Sequence, residues 1–228
     1  MRAYYSLIFP AFFAFAAPCA AETAAAQITI TGQGQVAAAP DMATVSLGVT
    51  TTAKTARAAM EGNASQLTVV LASLKSAGIA PRDLQTSNLS LQPNWSNSSG
   101  GSNRIDGYTA SNQLAVRVRD LASLGSILDA AIGDGANTLG GVQFGITAPA
   151  PLLDNAREAA VADARHRAEI FASAAGVTLG PIVTITEADT YNPAPQFARA
   201  AMADTPVEGG ELSLSASVTI TWQLVQPN

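Results

Sequence analysis

Near the C-terminus, apolar and polar residues alternate without a break from position 212 to position 224. The even positions are the apolar ones, and they are Leu212, Leu214, Ala216, Val218, Ile220, Trp222 and Leu224. The odd positions between them carry serine, threonine and glutamine. Successive side chains of a strand point to opposite faces, so this pattern predicts an antiparallel strand that is buried on one face. Any fold of this chain must therefore contain a sheet that is covered on one side.

The rest of the chain alternates between extended and helical patterns. Period-two runs and their flanking turns predict six further strands, at residues 28–30, 43–49, 81–91, 108–118, 142–146 and 182–185. Apolar residues at three- and four-residue steps predict helices at residues 60–74, 121–131 and 151–175. The order ββαββαβαββ indicates an α+β fold with a mixed, mainly antiparallel sheet or sheets, and with helices packed on one face.

The longest predicted helix has an unusually small apolar stripe. The stripe consists of Ala160, Ala164, Ala168, Phe171 and Ala175. Because most of these side chains are single methyl groups, we expect the helix to approach the sheet closely. On its exposed side Asp163 and Arg167 are four residues apart, as an i,i+4 ion pair requires.

The N-terminus has the pattern of a cleavable secretory signal peptide. Arg2 precedes an apolar run at residues 7–17, and small residues follow as far as Ala26. The run is shorter than the roughly 20 residues that a membrane-spanning helix needs. We predict a signal peptide at residues 1–21, with an alternative cleavage after residue 26, and no transmembrane segment once it is removed. Cys19, the one cysteine, then leaves with the leader; the alternative is a lipoprotein signal cut just before Cys19.

Composition excludes some classes of function. The chain is 48% hydrophobic and 13% charged, which is typical of a globular protein, and its net charge of −5 includes only two lysines, Lys54 and Lys75. No basic run is present to hold nucleic acid. With Cys19 removed, the mature chain has no thiol for a disulfide, a nucleophile or a metal site.

Two short motifs suggest a bound cofactor or metal, and each has a simpler interpretation. Gly32-Gln33-Gly34, with Ala37 three positions on, resembles a dinucleotide-binding loop, but a strand follows it where that loop requires a helix. We interpret it as a glycine bulge or bend in a strand. Asp134 and Asn137 resemble part of a calcium loop, but Ala136 stands where a ligand is needed, so we predict a turn that ends a helix. No cofactor and no metal are therefore expected.

Candidate catalytic and binding side chains are few. His166 is the one histidine, and it lies away from the predicted buried stripe between two arginines, so a surface position is expected. Trp222 has the parity of the buried face of the last strand. Trp95 lies beside a Ser/Asn/Gly segment at 96–103 and could stack on a ligand, together with Tyr191 and Phe197 in the weakly patterned loop 191–210.

Several segments together resemble the SIMPL-domain family, which includes the periplasmic immunogenic antigens. In chain order they are Gly32-Gln33-Gly34, Pro40-Asp41, residues 45–49, Asp83-Leu84-Gln85-Thr86, residues 107–112, Gly135-Ala136-Asn137 and residues 176–180. The resemblance implies one domain at 27–226, or two α+β subdomains within it. It also implies an exported protein that tends to oligomerise and has a loose link to envelope or oxidative stress, without catalytic residues to assign.

The sequence thus predicts a non-enzymatic periplasmic protein that acts as a homo-oligomeric assembly or interaction module. We expect that the polar face of the last strand offers an assembly surface if that strand lies at a sheet edge. Peripheral association with the outer membrane stays open. The alternatives are a module that binds a small ligand or peptide, and a hydrolase that uses His166.

Overall fold

The structure is a computed structural model that describes residues 25–97, 103–188, 194–196 and 209–226. The strands are β1 (Gln27–Ala38), β2 (Met42–Ala53), β3 (Leu84–Asn97), β4 (Asn103–Val118), β5 (Thr138–Gly145), β6 (Thr178–Ala188), β7 (Ala194–Gln196) and β8 (Glu211–Val225). The helices are α1 (Ala56–Ser76), α2 (Leu124–Gly133) and α3 (Ala150–Ala174). The predicted α+β class and element order are confirmed, with the three-residue β7 in addition. The predicted signal peptide and most of the 191–210 loop lie outside the described residues.

The strands form two antiparallel sheets, each with helices on one face. The first sheet has the order β1–β8–β6, and β7 pairs with the start of β8. The second has the order β3–β4–β2–β5. Helix α3 packs on the first sheet, whereas α1 packs on the second and contacts α2. Each sheet has its own cluster of buried apolar side chains.

The element boundaries follow the predicted local signals. The Thr55 side chain accepts a hydrogen bond from Ala58 N at the start of α1, and Gly78 follows its end with φ +92°. The Asp120 side chain accepts from Ala122 N and so caps the single 3₁₀ turn that leads into α2. The turn after α2 contains Gly135 with φ +110°, and Gly176 follows α3 with φ +70°. A left-handed backbone costs glycine little, so these positions stop the helices.

The contact between α3 and β1 explains the Gly32-Gln33-Gly34 motif. The motif lies in a strand, as predicted, but the bulge that was offered as one interpretation is absent, because β1 pairs with β8 in continuous register from Gln27 to Ala38. A Cβ placed on Gly32 would lie 2.5 Å from the backbone nitrogen of Ala164, and one on Gly34 would lie 2.5 Å from that of Ala160. The two glycines therefore let the helix backbone rest almost directly on the strand.

The buried stripe of α3 is even smaller than predicted. It consists of Ala156, Ala160, Ala164, Ala168 and Ala172. Two predicted members do not belong to it: Phe171 is 53% exposed, with Ala172 in the buried position, and Ala175 is an exposed C-cap residue. A stripe at strict four-residue spacing follows one ridge of the helix, which runs obliquely to the helix axis. The predicted close approach of helix and sheet is confirmed.

Candidate functional site

His166 lies on the exposed side of α3, between Arg165 and Arg167. Arg165 is engaged with Glu169, at 2.9 Å from Nε to Oε1. Within the described residues, His166 has no hydrogen-bond or ion-pair partner that could orient it as a general base. The geometry gives the hydrolase hypothesis no supporting contact.

Asp134 and Asn137 have structural roles at the end of α2. Asp134 is the C-cap residue of that helix. The Asn137 side chain accepts from Thr50 N at 2.7 Å and donates to Thr50 O at 2.8 Å, which fixes the turn to the side of β2. Among the residues that the structure describes, no cluster of three or more His, Cys, Asp or Glu side chains could hold a metal ion.

The two tryptophans have opposite environments. Trp222 is 3% exposed and packs in the cluster under α3, as predicted for its parity. Trp95 is 60% exposed and faces Ile105 across the β3–β4 hairpin. Leu89 and Leu91 on the same strand are also exposed. The hairpin therefore carries an exposed apolar stripe, while Tyr191 and Phe197 lie outside the described residues.

Among the described strands the last strand lies in the centre of its sheet, so the condition under which it would offer an assembly edge is not met. β8 pairs with β1 along residues 212–223 and, on its other side, with β6 and β7. The Ser/Thr face of β8 is the face that points away from α3. The polar face extends across β1 and β6, because a Thr-Ile-Thr segment in each of the three strands pairs in register with the others. The six threonines are Thr29, Thr31, Thr184, Thr186, Thr219 and Thr221. Two hydroxyl pairs across β1 and β8 are 2.9 Å apart.

The outer edge of β1 is covered by α3. Asp163 Oδ2 accepts a hydrogen bond from Gln33 N at 3.0 Å, and Arg167 Nη1 donates to Thr31 O at 2.7 Å. These two side chains are also 3.6 Å apart as an ion pair. The pair that the sequence places on the exposed face thus satisfies strand backbone groups, a common way of blocking a sheet edge.

The edge at β6 differs from the edge at β1. β6 pairs only with β8 among the described strands, and α3 contacts it far less than it contacts β1. Residues 181–188 are all exposed, and they include Ile182, Val183 and Ile185. Glu187 is the one charged residue of the strand, and Arg157 of α3 binds it. A long apolar edge strand of this kind is a template for pairing with another chain.

A buried carboxylate lies at the end of the second sheet, and the sequence analysis did not identify it. The Asp83 side chain is 4% exposed and accepts two hydrogen bonds from Arg119, at 2.8 and 3.0 Å. Hydrogen bonding to Arg119 lowers the pKa of the Asp83 carboxyl, although burial opposes this. The segments Pro-Arg-Asp at 81–83 and Arg-Val-Arg at 117–119 were the available signal, but only strand pairing brings them together.

The fold defines a class of protein: an α+β protein of two antiparallel sheets, each covered by helix on one face. The family model described as a protein of unknown function (DUF541), SIMPL, matches residues 28–222. The chain belongs to the SIMPL family.

Proteins of known name are similar along most of the chain. The 26 kDa periplasmic immunogenic protein of Brucella melitensis is 38% identical over 92% of this chain and 90% of its own length. The uncharacterized protein YggE of Edwardsiella ictaluri is 32% identical over 74% of this chain and 71% of its own length. YggE of Escherichia coli K12 is 30% identical over 84% of this chain and 78% of its own length. These matches confirm the resemblance found in the sequence.

In the described part of the chain, none of the helices combines the length and the apolar character that a membrane span requires.

Proposed function

We propose that this chain is an exported cell-envelope protein that works as a homo-oligomeric assembly or interaction module, with β6 as its assembly edge. Export is supported by the signal-like pattern at residues 1–21 and by a similar protein whose name is periplasmic. A loose link to envelope or oxidative stress is what the family resemblance implies, and it belongs to the same proposal, as does peripheral association with the outer membrane as an alternative to a free periplasmic protein.

The observation that carries the proposal is the exposure of β6 on both faces. Ile185 is 57% exposed although it pairs with Ile220, which is fully buried on the central strand. Because α3 lies mainly over β1 and β8, the described part of the chain offers little to cover the side chains of β6. A second copy that added a strand here would cover these side chains and bond the outer backbone groups.

The difference between the two edges of this sheet supports β6 as the interface. β1 has Asp163 and Arg167 placed on its outer backbone groups, as described above. On β6, Arg157 of α3 binds the side chain of Glu187, at 2.6 Å from Nε to Oε1, and not a backbone group of the strand. Edge strands that are meant to stay unpaired usually carry charges or are covered. Pro181 and the register shift between Ile182 and Thr184 interrupt the first part of β6, but residues 184–186 beyond them carry no charge, and no described segment covers them.

The test is the molar mass of the purified protein in solution. The full chain is expressed with its leader, recovered from the periplasm, and measured by light scattering across micromolar concentrations. The wild type is expected to form a defined oligomer. The double variant Val183→Lys/Ile185→Lys should be a monomer, because two ammonium groups at the edge oppose pairing with an identical strand.

Ile132→Lys is the matched control, because Ile132 is 56% exposed but lies on α2. This variant should keep the wild-type mass. Hydrogen exchange adds a readout by position: β6 amides should be protected in the wild-type oligomer and exchange quickly in the double variant. A wild type that stays monomeric throughout, or an oligomer that the double variant leaves intact, would refute β6-mediated assembly.

Binding of a small ligand is the second candidate, and a pocket favours it. A pocket of about 190 Å³ lies between α2 and β5, lined mainly by apolar side chains such as Leu47, Leu128 and Leu139. Asn137 and Thr138 add polar groups to its lining. A pocket with apolar walls and few polar groups is typical of small-molecule sites. The test is binding of a fluorescent hydrophobic probe, with Leu128→Trp used to fill the pocket. Loss of probe binding in this variant would support ligand binding at the pocket, and unchanged binding would exclude it.

A further inference from the structure

A second cavity lies at the end of the β3–β4 sheet and adjoins none of the β6 residues. Its volume is about 400 Å³. Its walls come from residues 77–83, between α1 and β3, and from residues 117–127, between the end of β4 and α2, and its polar lining includes Arg82, Asp83, Arg117, Arg119, Asp120 and Ser123. Two segments that are distant in sequence therefore place charged groups around one space.

The three arginines do not bind Asp83 equally. Arg119 donates both of its hydrogen bonds to the carboxylate, a bidentate arrangement that fixes both groups. Arg117 Nη1 is 3.7 Å from Asp83 Oδ1, and Arg82 Nε is 4.0 Å from Oδ2. Neither of these two side chains makes a hydrogen bond to any described residue. Their guanidinium donors are held beside the cavity by charge attraction and are available to a ligand.

The charge of this cavity contrasts with that of the whole chain. Three arginines face two aspartates on the cavity lining, and the Asp120 carboxylate already accepts from Ala122 N. Asp41 also interacts electrostatically with Arg119, so the positive charge that is least compensated lies at Arg82 and Arg117, in a protein whose net charge is −5. Burial of Asp83 prevents it from turning toward the solvent, so it positions the arginines rather than competing for a ligand in the open part of the cavity.

We propose that this cavity binds a small oxyanion, a carboxylate or phosphate group, through Arg82 and Arg117. Guanidinium groups recognise both anions with paired N–H donors, and a hydrogen bond to a charged group is stronger than a neutral one. Asp83 and Arg119 are positioning residues, because their ion pair fixes the carboxylate beside which Arg82 and Arg117 lie. The proposal is independent of assembly at β6, since no β6 residue lines the cavity.

The test measures binding of inorganic phosphate and of succinate by calorimetry, at pH 7 and constant ionic strength, to the protein recovered from the periplasm. Saturable binding is expected with a Kd of about 1 mM or tighter. Arg117→Gln and Arg82→Gln should each weaken it by about tenfold, the loss of one charge-assisted hydrogen bond. Both substitutions leave the Asp83–Arg119 pair intact, so the fold should be retained.

Arg104→Gln is the control, because Arg104 is an exposed arginine on β4, the strand that also carries Arg117, and it lies outside the cavity. It should bind both anions as the wild type does. Preference for succinate over phosphate, or the reverse, identifies which oxyanion the site takes. Absence of saturable binding up to about 10 mM, equal binding by Arg117→Gln and wild type, or equal binding of chloride would overturn the proposal.

Discussion

Replacing Gly34 with alanine tests whether the close contact between α3 and β1 holds the first sheet together. The added Cβ would lie 2.5 Å from Ala160 N and closer still to Ala156 O, whereas an ordinary contact begins near 3.4 Å. The helix would therefore have to retreat by more than about 1 Å, and a gap of about 1 Å already costs up to about half of each contact's dispersion energy. The clash is with helix backbone, so a change of rotamer cannot relieve it.

The expected loss of stability follows from two opposing effects. Overpacking of a well-packed core costs about 1–3 kcal/mol. Alanine recovers about 0.5–1 kcal/mol, because glycine is the more flexible residue in the unfolded chain. The net destabilisation should be about 1–2 kcal/mol, which corresponds to a fall in Tm of about 2–8 °C for a chain of this length. Thermal and urea unfolding measure it.

Two further variants separate backbone clash from other causes. Gly62→Ala in α1 adds a Cβ that meets nothing within 4 Å, so it should raise stability by about 0.5–1 kcal/mol. Gly32→Ala should be as harmful as Gly34→Ala, and Ala164→Gly should not rescue it, because Ala164 N would still be 2.5 Å from the new Cβ. Wild-type stability in Gly34→Ala, or rescue of Gly32→Ala by Ala164→Gly, would refute the backbone contact.

Three more predictions follow from single side chains. Asn63→Ala should cost about 1–3 kcal/mol in urea unfolding, because the buried amide donates to two strand carbonyls that would lose their partner. The Asp83 carboxyl has a pKa below its usual value, so its ionised form stabilises the fold above about pH 4, and this stabilisation disappears as the pH falls further. Asp83→Asn should therefore make stability fall less steeply with decreasing pH. An unchanged fall in stability at acid pH would contradict this prediction. Iodide should quench Trp95 fluorescence and spare Trp222 in non-assembled protein, and Trp95→Phe should remove the quenchable component; equal quenching of both residues would refute their assigned environments.

Local periodicity was sufficient to predict most secondary structure. The alternation at 212–224 indicates β8 and its buried face, since parity along a strand is fixed by backbone geometry alone. The glycines after α1, α2 and α3 mark helix ends for an equally local reason, their left-handed backbone. Phe171 was assigned wrongly, because spacing places the buried face of a helix only to within one neighbouring position. Residues 171 and 172 were both compatible with the pattern, and in the structure Ala172 is the one that packs against the sheet.

The sequence by itself determined the class of fold, the small face of α3 and the family resemblance, because each depends on residues within a few positions or on motifs in chain order. Tertiary structure alone decided that β8 is central, that Asp163 and Arg167 close the β1 edge, and that β6 is left exposed. It also placed Asp83 against Arg119. These features depend on which distant segments become neighbours: Thr29 and Thr221 are 192 positions apart, yet their hydroxyls are 2.9 Å from each other. Period and composition describe the faces of a strand, but only long-range pairing determines which strands lie at the edges of a sheet.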